Sequence, residues 1–219
     1  MICLPFVTGI FTTSIWSKQI ATSEKQAADA AKTLTNSRVK ISKQMEEKLV
    51  KQLKQLGMPH VRFNVSITGK QTLSANGNDE TDFLFSANDN APLLAVSEIA
   101  SGGEISRVML SLKSLIASSK TLPTIIFDEI DTGVSGEIAD KMAEIMRQMS
   151  TEIQVLCITH LPQIAAKGTN HFKVYKDQSA TNIKELTSDE RVTEIAQMLS
   201  GSNLSEAAIL NAKALLSTD

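Results

Sequence analysis

The 219-residue sequence has few aromatic residues, two cysteines and no excess of basic charge. Cys3 and Cys157 lie far apart and form no CxxC or Cys/His spacing, which argues against a disulfide framework or a zinc site and favours a reducing, cytoplasmic setting. With 4% aromatic residues there is little material for stacking nucleic-acid bases. The 22 basic and 24 acidic residues give a net charge of −2, so any contact with DNA requires a local basic patch.

The sequence also has no stretch that predicts a membrane span. Residues 1–17 are apolar, but they are too few to cross a bilayer and include Pro5 and Gly9. No basic residue precedes Lys18, whereas a signal peptide requires a basic start and small residues at its cleavage site. We therefore expect no membrane partner and interpret residues 1–17 as a packed or artificial start, of uncertain status.

Proline and glycine are missing between Lys18 and Leu56, a segment rich in Ala, Lys, Gln and Glu. Its apolar residues recur mostly every three, four or seven positions, which predicts a long amphipathic helix within a first unit, residues 18–57. Such a length favours a partner helix, as in one arm of an antiparallel coiled coil; a surface helix packed on its own domain is the alternative. Its mixed charges are explained as well by a solvated face as by a DNA contact, so the sequence does not place a DNA site.

Residues 58–219 alternate strand-like and helix-like segments, which predicts one α/β lobe. Two apolar runs separated by an amphipathic helix predict a right-handed parallel unit with both strands buried. The segment 69–82 is polar, with Asn76-Gly77 as a hairpin candidate. The predicted strands are 61–68, 82–86, 124–127, 154–159, 171–176 and 181–186. The predicted helices are 103–119, with Val108, Leu112, Leu115 and Ile116 inward, 136–149, 189–199 and 205–216.

A small hydroxyl residue, two glycines and an acid stand at the head of the helix predicted to begin near residue 103, as Ser101-Gly102-Gly103-Glu104. Glycines let the backbone approach a ligand closely, and the free N–H groups of a helix start favour an anion such as phosphate. The same residues suit an ordinary capped turn, because Ser is a good N-cap and Glu suits a first helical turn. The tetrapeptide alone leaves both interpretations open.

Acids and a histidine follow the two apolar runs, at the carboxyl ends of predicted strands, where α/β proteins bind their ligands. Asp128 and Glu129 fit a pair in which one acid holds Mg²⁺ and the next acts as general base toward a water. Asp131 lies in the turn that follows, and His160 ends the later run, where a neutral imidazole suits a phosphate or the catalytic water. Loop-capping acids and a structural histidine are the alternatives.

The three segments together, in this order, resemble the ATP-binding-cassette ATPases of the SMC-like branch, and most closely its bacterial DNA-repair members. The resemblance rests on IASGGEISRVMLSLK at 99–113, TIIFDEIDTGVSGEIA at 124–139 and VLCITHLPQIAA at 155–166, and extends more weakly over about residues 20–217. Ala100 stands where many transporters of the superfamily have Leu. The resemblance implies the carboxyl-terminal lobe of an ABC/SMC-type P-loop ATPase head, α/β in fold, with a long coiled-coil helix at its amino-terminal side.

The resemblance also implies roles for the residues near the head of the helix at 103. Ser101, Gly102 and Gly103, together with Glu104, would form the signature motif, which contacts the γ-phosphate of an ATP held by the opposite head of a dimer. Arg107 would touch phosphate or the partner head, and a solvated side chain is the alternative.

Roles for the strand-end residues follow in the same way. Asp128 would be the Walker-B magnesium ligand and Glu129 the catalytic base. Asp131 would belong to the D-loop, which crosses the dimer interface, and His160 would be the switch histidine.

One motif of the resembled family is missing, because no stretch reads GxxxxGK[ST]. The one Gly-Lys pair is Gly69-Lys70, with Gln71 after it. Without that loop and its lysine nothing cradles the α- and β-phosphates of ATP. We expect the carboxyl-terminal half of a split head, inactive alone, whose partners are the amino-terminal half of the same head and a second head in a homodimer. DNA as a partner and a nucleoid-associated location follow from the resemblance alone.

Three functions remain open from the sequence. The first is an ATPase of DNA double-strand-break repair and recombination, with ATP and Mg²⁺ bound by the complete head. The second is a non-catalytic dimerisation or scaffold module derived from such a head, against which the acids at 128 and 129 argue. The third is the nucleotide-binding subunit of a transporter, which shares the motifs but gives no reason for the long helix.

Overall fold

A computed structural model describes residues 6–98, 101–117, 122–178, 180–201 and 204–217, with side chains from residue 14 onward. A long helix leads into a lobe of short strands and helices. In chain order the elements are α1 (Phe6–Gln55), β1 (Arg62–Ser74), β2 (Gly77–Ser86), β3 (Leu94–Ala95), a 3-10 turn (Val96–Glu98), α2 (Gly102–Ala117), β4 (Thr124–Asp128), α3 (Gly136–Met149), β5 (Gln154–Ile158), α4 (Pro162–Lys167), β6 (Phe172–Lys176), β7 (Thr181–Glu185), α5 (Ser188–Ser200) and α6 (Glu206–Leu216).

The predicted long helix forms, but it begins at Phe6 rather than near Lys18 and contains 50 residues. No proline follows Pro5 within it, and the single Gly9 costs about 1 kcal/mol relative to Ala, which a helix of this length tolerates. Residues 1–5 lie outside the described part of the chain. The apolar start is therefore continuous with the helix from Phe6 onward, while its origin stays a prediction.

The carboxyl end of α1 is closed by a glycine in the left-handed region. Gly57 has φ +79°, and the amides of Gly57 and Met58 donate to the carbonyls of Lys54 and Leu53 at 3.2 and 3.1 Å. Met58 and Leu53 also share a buried cluster, so the polar and apolar parts of a Schellman cap are both present. The predicted end of the helix near Leu56 is confirmed.

Strands β1 and β2 form a long antiparallel hairpin that closes at Ser74 and Gly77. The hairpin at Asn76-Gly77 is confirmed, whereas most of 69–82, predicted to be turn-rich, is strand. The hairpin packs along α1, where Asp79 accepts hydrogen bonds from Thr35 Oγ1 at 2.8 Å and Arg38 Nη1 at 3.2 Å. These tertiary contacts outweigh the weak strand propensity of the segment.

Helix α2 lies between two hydrophobic clusters. Val108 and Leu112 pack with the end of α1 and the hairpin, as predicted, while Leu110 packs on the opposite side with Phe127. Leu115 contacts the first cluster, but Ile116 is 50% exposed, so its inward placement was wrong. A helix buried on two sides breaks the single-face pattern that periodicity assumes.

Strands β4 and β5 pair in parallel, from Thr124 opposite Gln154 to Asp128 opposite Ile158. The predicted parallel unit with α3 between the strands is confirmed, and Phe127 lies in the core that α3 helps to form. The prediction that both strands are buried was wrong for the described residues. One face of the pair stays open, with Ile126, Leu156 and Ile158 exposed by 58%, 45% and 57%. We call these three residues the bare sheet face.

The last part of the lobe contains the two predicted strands, which pair as the antiparallel hairpin β6–β7, and the predicted helices α5 and α6. Helix α4 was not predicted, because its six residues are too few for a periodic signal. Thr187 and Glu190 form a reciprocal capping box at the start of α5. Among the helices of the described residues, none combines the length and the apolar character that crossing a membrane requires.

Candidate active site

The acids at the end of β4 lie at an open edge of the sheet. Asp128 and Glu129 are both exposed, and Glu129 has φ +49°, the one positive value at a non-glycine residue in the described part of the chain. A left-handed glutamate costs about 1–2 kcal/mol. Its amide donates to the Ile158 carbonyl at 3.3 Å, and its carbonyl accepts from Thr132 Oγ1 at 2.9 Å. A strained residue held by its neighbours is typical of functional sites.

Asp131 is the buried centre of this edge. Its side chain is 0% exposed, and Oδ2 accepts hydrogen bonds from Thr159 Oγ1 at 2.5 Å and from the His160 amide at 3.2 Å. Oδ1 is also buried and makes no hydrogen bond with the described part of the chain. The carboxylate therefore joins the end of β4 to the end of β5, a role that the sequence did not indicate.

Burial of Asp131 changes the interpretation of its loop. Its fully buried side chain supports the loop from inside the lobe, and its membership of a loop that crosses a dimer interface stays a prediction. Thr132, Gly133 and Ser135 are the exposed residues of the same loop. Asp131 supports this loop from below.

His160 stands over Asp131 with its ring 69% exposed. Nδ1 lies 3.4 Å from Asp131 Oδ2, so a proton on Nδ1 faces the carboxylate. In the neutral ring this tautomer leaves Nε2 as a hydrogen-bond acceptor on the opposite side of the imidazole. The structure thus places His160 at a strand end beside the acids, as predicted.

The head of α2 contacts the same loop through glycine backbones. A Cβ on Gly103 would lie 3.0 Å from the Gly133 carbonyl oxygen, whereas one on Gly102 would meet nothing closer than Thr132 Cγ2 at 4.0 Å. Ser101 is exposed, and its carbonyl accepts from the Ile105 amide at 3.0 Å. Gly103 is thus required for packing against the loop. Ile99 and Ala100 lie outside the described residues.

Glu104 and Arg107 complete the first turns of α2. Glu104 is half-buried in the first turn of the helix. Arg107 differs from both expectations, because it contacts the chain itself: Nε donates to the Gly103 carbonyl and Nη1 to the Leu56 carbonyl, both at 2.9 Å. Arg107 therefore links the end of α1 to the head of α2.

Electrostatics at this edge are negative. Burial, followed by the charges of Asp131 and Asp128, raises the pKa of the Cys157 thiol to about 12. Within the described residues, no group of three or more His, Cys, Asp and Glu side chains forms a metal cage. Mg²⁺ takes one or two carboxylates and completes its shell with phosphate oxygens and waters. Asp128, exposed at the strand end, suits that single protein contact.

Comparison with known proteins shows the chain's relatives. No family model matches the chain. The DNA repair protein RecN of Rickettsia conorii is 41% identical over 197 residues, which cover 88% of this chain and 36% of that protein. RecN of Bacillus subtilis is 35% identical over 218 residues, covering 91% of this chain and 38% of that protein. The chain thus spans little more than a third of these relatives and matches the carboxyl-terminal part of RecN proteins.

Solved structures share the fold at low identity. The Smc head domain with coiled coil and joint from Pyrococcus yayanosii aligns with a TM-score of 0.64 at 15% identity, covering 87% of this chain and 36% of that chain. A chain from a study of ATP-driven dimerization of SMC ATPases aligns with a TM-score of 0.53 at 15% identity, covering 77% and 99%. The fold is that of an α/β lobe of an SMC-type ATPase head.

Proposed function

We propose that this chain is the carboxyl-terminal lobe of a RecN-type ATPase head, which hydrolyses ATP in DNA double-strand-break repair and recombination once the amino-terminal half is present. The observation that carries the proposal is that contacts link the head of α2, the loop after β4 and the end of β5. Gly103 packs on Gly133, and Asp131 accepts hydrogen bonds from Thr159 Oγ1 and the His160 amide. These contacts join three segments that lie far apart in sequence and that we propose to be the signature, Walker-B and switch motifs.

The proposed chemistry uses three side chains at this edge. Asp128 holds Mg²⁺, which when bound neutralises charge on the nucleotide's phosphates. Glu129 orients and deprotonates the attacking water, and its left-handed backbone keeps the carboxylate at the open edge. His160 offers Nε2 to the water or the terminal phosphate, while Asp131 fixes the other ring nitrogen.

Signature residues are proposed to act in trans. Ser101 is exposed at the head of α2, where free N–H groups and the positive helix end favour phosphate. Because no GxxxxGK[ST] loop is present in this sequence, the phosphate is proposed to belong to an ATP bound by a second head. The exposed loop residue Thr132 lies beside this helix start, and Ser135 is exposed in the same loop, so both suit the same interface.

The amino-terminal half of the same head is proposed to cover the bare sheet face. Ile126, Leu156 and Ile158 lie side by side on the paired strands, each about half exposed. Parallel strands are ordinarily covered on both faces, so this surface favours a further layer. The arm helix α1 likewise carries exposed Ile20 and Ile41 for a partner arm of a coiled coil.

The relatives are named as DNA repair proteins, which supports DNA as the partner of the complete protein and a nucleoid-associated location. A non-catalytic scaffold remains the second candidate, since it would keep the same fold. The strained Glu129 and the aligned His160 argue for catalysis, because a scaffold has no use for either.

ATP-dependent association of the reconstituted heads tests the proposal. The chain is mixed with the amino-terminal segment of a RecN relative, and dimerisation is followed by light scattering with and without ATP. We expect ATP to drive dimerisation of the wild type, and Ser101→Arg to block it while each head still binds nucleotide. Equal dimerisation with and without ATP would instead identify the scaffold.

A further inference from the structure

The charge of the chain is divided between the arm and the lobe. Residues 18–55 of α1 carry eight lysines and one arginine against four acids, a net charge of +5. Since the whole chain has −2, the remaining residues have −2 − 5 = −7. The arm is therefore strongly basic on an acidic protein, which the overall composition conceals.

Seven of these lysines share one face of α1. At about 3.6 residues per turn they fall within about 100° of the helix circumference. All seven are exposed: Lys18, Lys25, Lys32, Lys40, Lys43, Lys51 and Lys54. We call this set the lysine face. The other positions on this arc between Lys18 and Lys54 hold Thr22, Asp29, Thr33, Asn36, Glu47 and Val50. Since Asp29 and Glu47 offset two of the seven lysines, the net charge of the arc is 7 − 2 = +5.

The described residues of the lobe do not cover this face. The buried positions of α1 lie on the opposite side of the helix: Ala31, Ser42, Leu49 and Leu53. Leu49 and Leu53 pack in the cluster that includes the hairpin. Glu46 also points to the hairpin, where Oε1 accepts from the Val65 amide at 2.7 Å. An acid that would otherwise offset the lysines is thus engaged elsewhere.

A coiled-coil partner would not cover it either. Ile20, Leu34 and Ile41 stand at multiples of seven residues and are 56%, 37% and 54% exposed. By helical geometry this seam lies about 150° from the centre of the lysine face. With the hairpin and a second arm both in place, the lysines remain in solvent on a straight line about 54 Å long.

We propose that the lysine face of α1 binds the sugar–phosphate backbone of duplex DNA. A duplex presents one phosphate charge per about 1.7 Å of its axis, so an extended row of lysines matches a rod of negative charge without reading its sequence. An anionic membrane fits less well. An interfacial helix needs a free apolar face beside its basic one, and toward the carboxyl end of α1 the apolar residues Leu49 and Leu53 are buried in the cluster that includes the hairpin.

The choice of DNA as the polyanion rests on the proposed role in DNA repair, whereas the lysine face itself is a feature of the structure. Binding is measured by fluorescence anisotropy of a labelled duplex of about 20 base pairs, longer than the ~54 Å row at ~3.4 Å per base pair. The protein is the 219-residue chain, titrated at several salt concentrations. Phosphatidylserine vesicles are the competing probe.

The test variant is Lys43→Gln/Lys51→Gln/Lys54→Gln, and glutamine keeps helix propensity. The matched control replaces three exposed lysines off the arc: Lys48→Gln/Lys176→Gln/Lys213→Gln. We expect the test variant to bind DNA about tenfold or more weakly and to lose about one unit of salt slope per lysine engaged, while the control stays near wild type. Circular dichroism checks that both variants keep the helix.

Equal losses in test and control variants would overturn the inference, as would unchanged binding by the test variant. If the test variant binds DNA as well as the wild type does, DNA remains the partner, but its binding site is not the lysine face. Binding of the wild type to vesicles but not to DNA would also overturn it. ATP-dependent dimerisation of the reconstituted heads, measured on the same test variant, is expected to be unchanged, so failure of the proposed ATPase role is seen separately.

Discussion

Replacing Arg107 with Ala tests the link between arm and signature helix. The guanidinium donates to the Leu56 and Gly103 carbonyls at 2.9 Å each, and the side chain is half-buried. A hydrogen bond from a charged donor contributes about 1.5–3 kcal/mol, and partial solvent access reduces this, so the loss should total about 2–4 kcal/mol. Arg107→Lys, which presents one ammonium in place of a fork, should lose about half as much.

Urea unfolding followed by circular dichroism measures these free energies. Arg107→Met keeps the apolar stem and separates lost packing from lost hydrogen bonds. Arg147→Ala is the control, because its pair with Glu144 lies on the surface of α3 and such pairs contribute about 0–1 kcal/mol. If Arg107→Ala were no more destabilising than Arg147→Ala, the proposed link between α1 and α2 would be wrong.

Three further predictions concern backbone contact, pH and reactivity. Gly103→Ala should destabilise by about 1–3 kcal/mol, because its Cβ would lie 3.0 Å from the Gly133 carbonyl, whereas Gly102→Ala should be neutral in the same urea assay. Hydrogen bonds from Lys184 and then from the Thr187 amide lower the pKa of Glu190 to about 2. The stability that this carboxylate contributes is therefore complete above about pH 5 and is lost as the pH falls through 2. Glu190→Gln should remove that part of the acid-unfolding profile. In a Cys3→Ser background, Cys157 should resist a thiol reagent at pH 8 until urea unfolds the chain, because its pKa is raised to about 12; rapid labelling of folded protein would contradict this.

The sequence predicts the regular elements of this fold well. The unbroken periodicity of α1 and the apolar runs of β4 and β5 depend only on neighbouring residues in the sequence. The helix and the two strands that they predict are present in the structure. Extension of the hairpin through residues 69–82 depends on packing against α1, which no local pattern reports. Similarly, α2 is buried on two sides and not on one, and Ile116, predicted to point inward, lies at the surface.

The site residues were chosen by motif, and the structure adds how they are held. Burial of Asp131 and the contacts of Arg107 join segments distant in the sequence, so they follow from tertiary structure alone. The lysine face could have been drawn as a helical wheel, but only the positions of the hairpin and the seam show that it is uncovered. The bare sheet face likewise follows from tertiary packing, because the apolar runs that form β4 and β5 do not indicate which side of the strands is covered.

ATP turnover by the reconstituted head tests the central claim most directly. The chain alone, the amino-terminal segment of a RecN relative alone, and their mixture are assayed for phosphate release, each with wild type and with Glu129→Gln. We predict turnover only in the wild-type mixture, with the glutamine variant reduced by about 10²-fold or more, as expected for loss of a general base. Turnover that survives Glu129→Gln, or robust turnover by the chain alone, would contradict it.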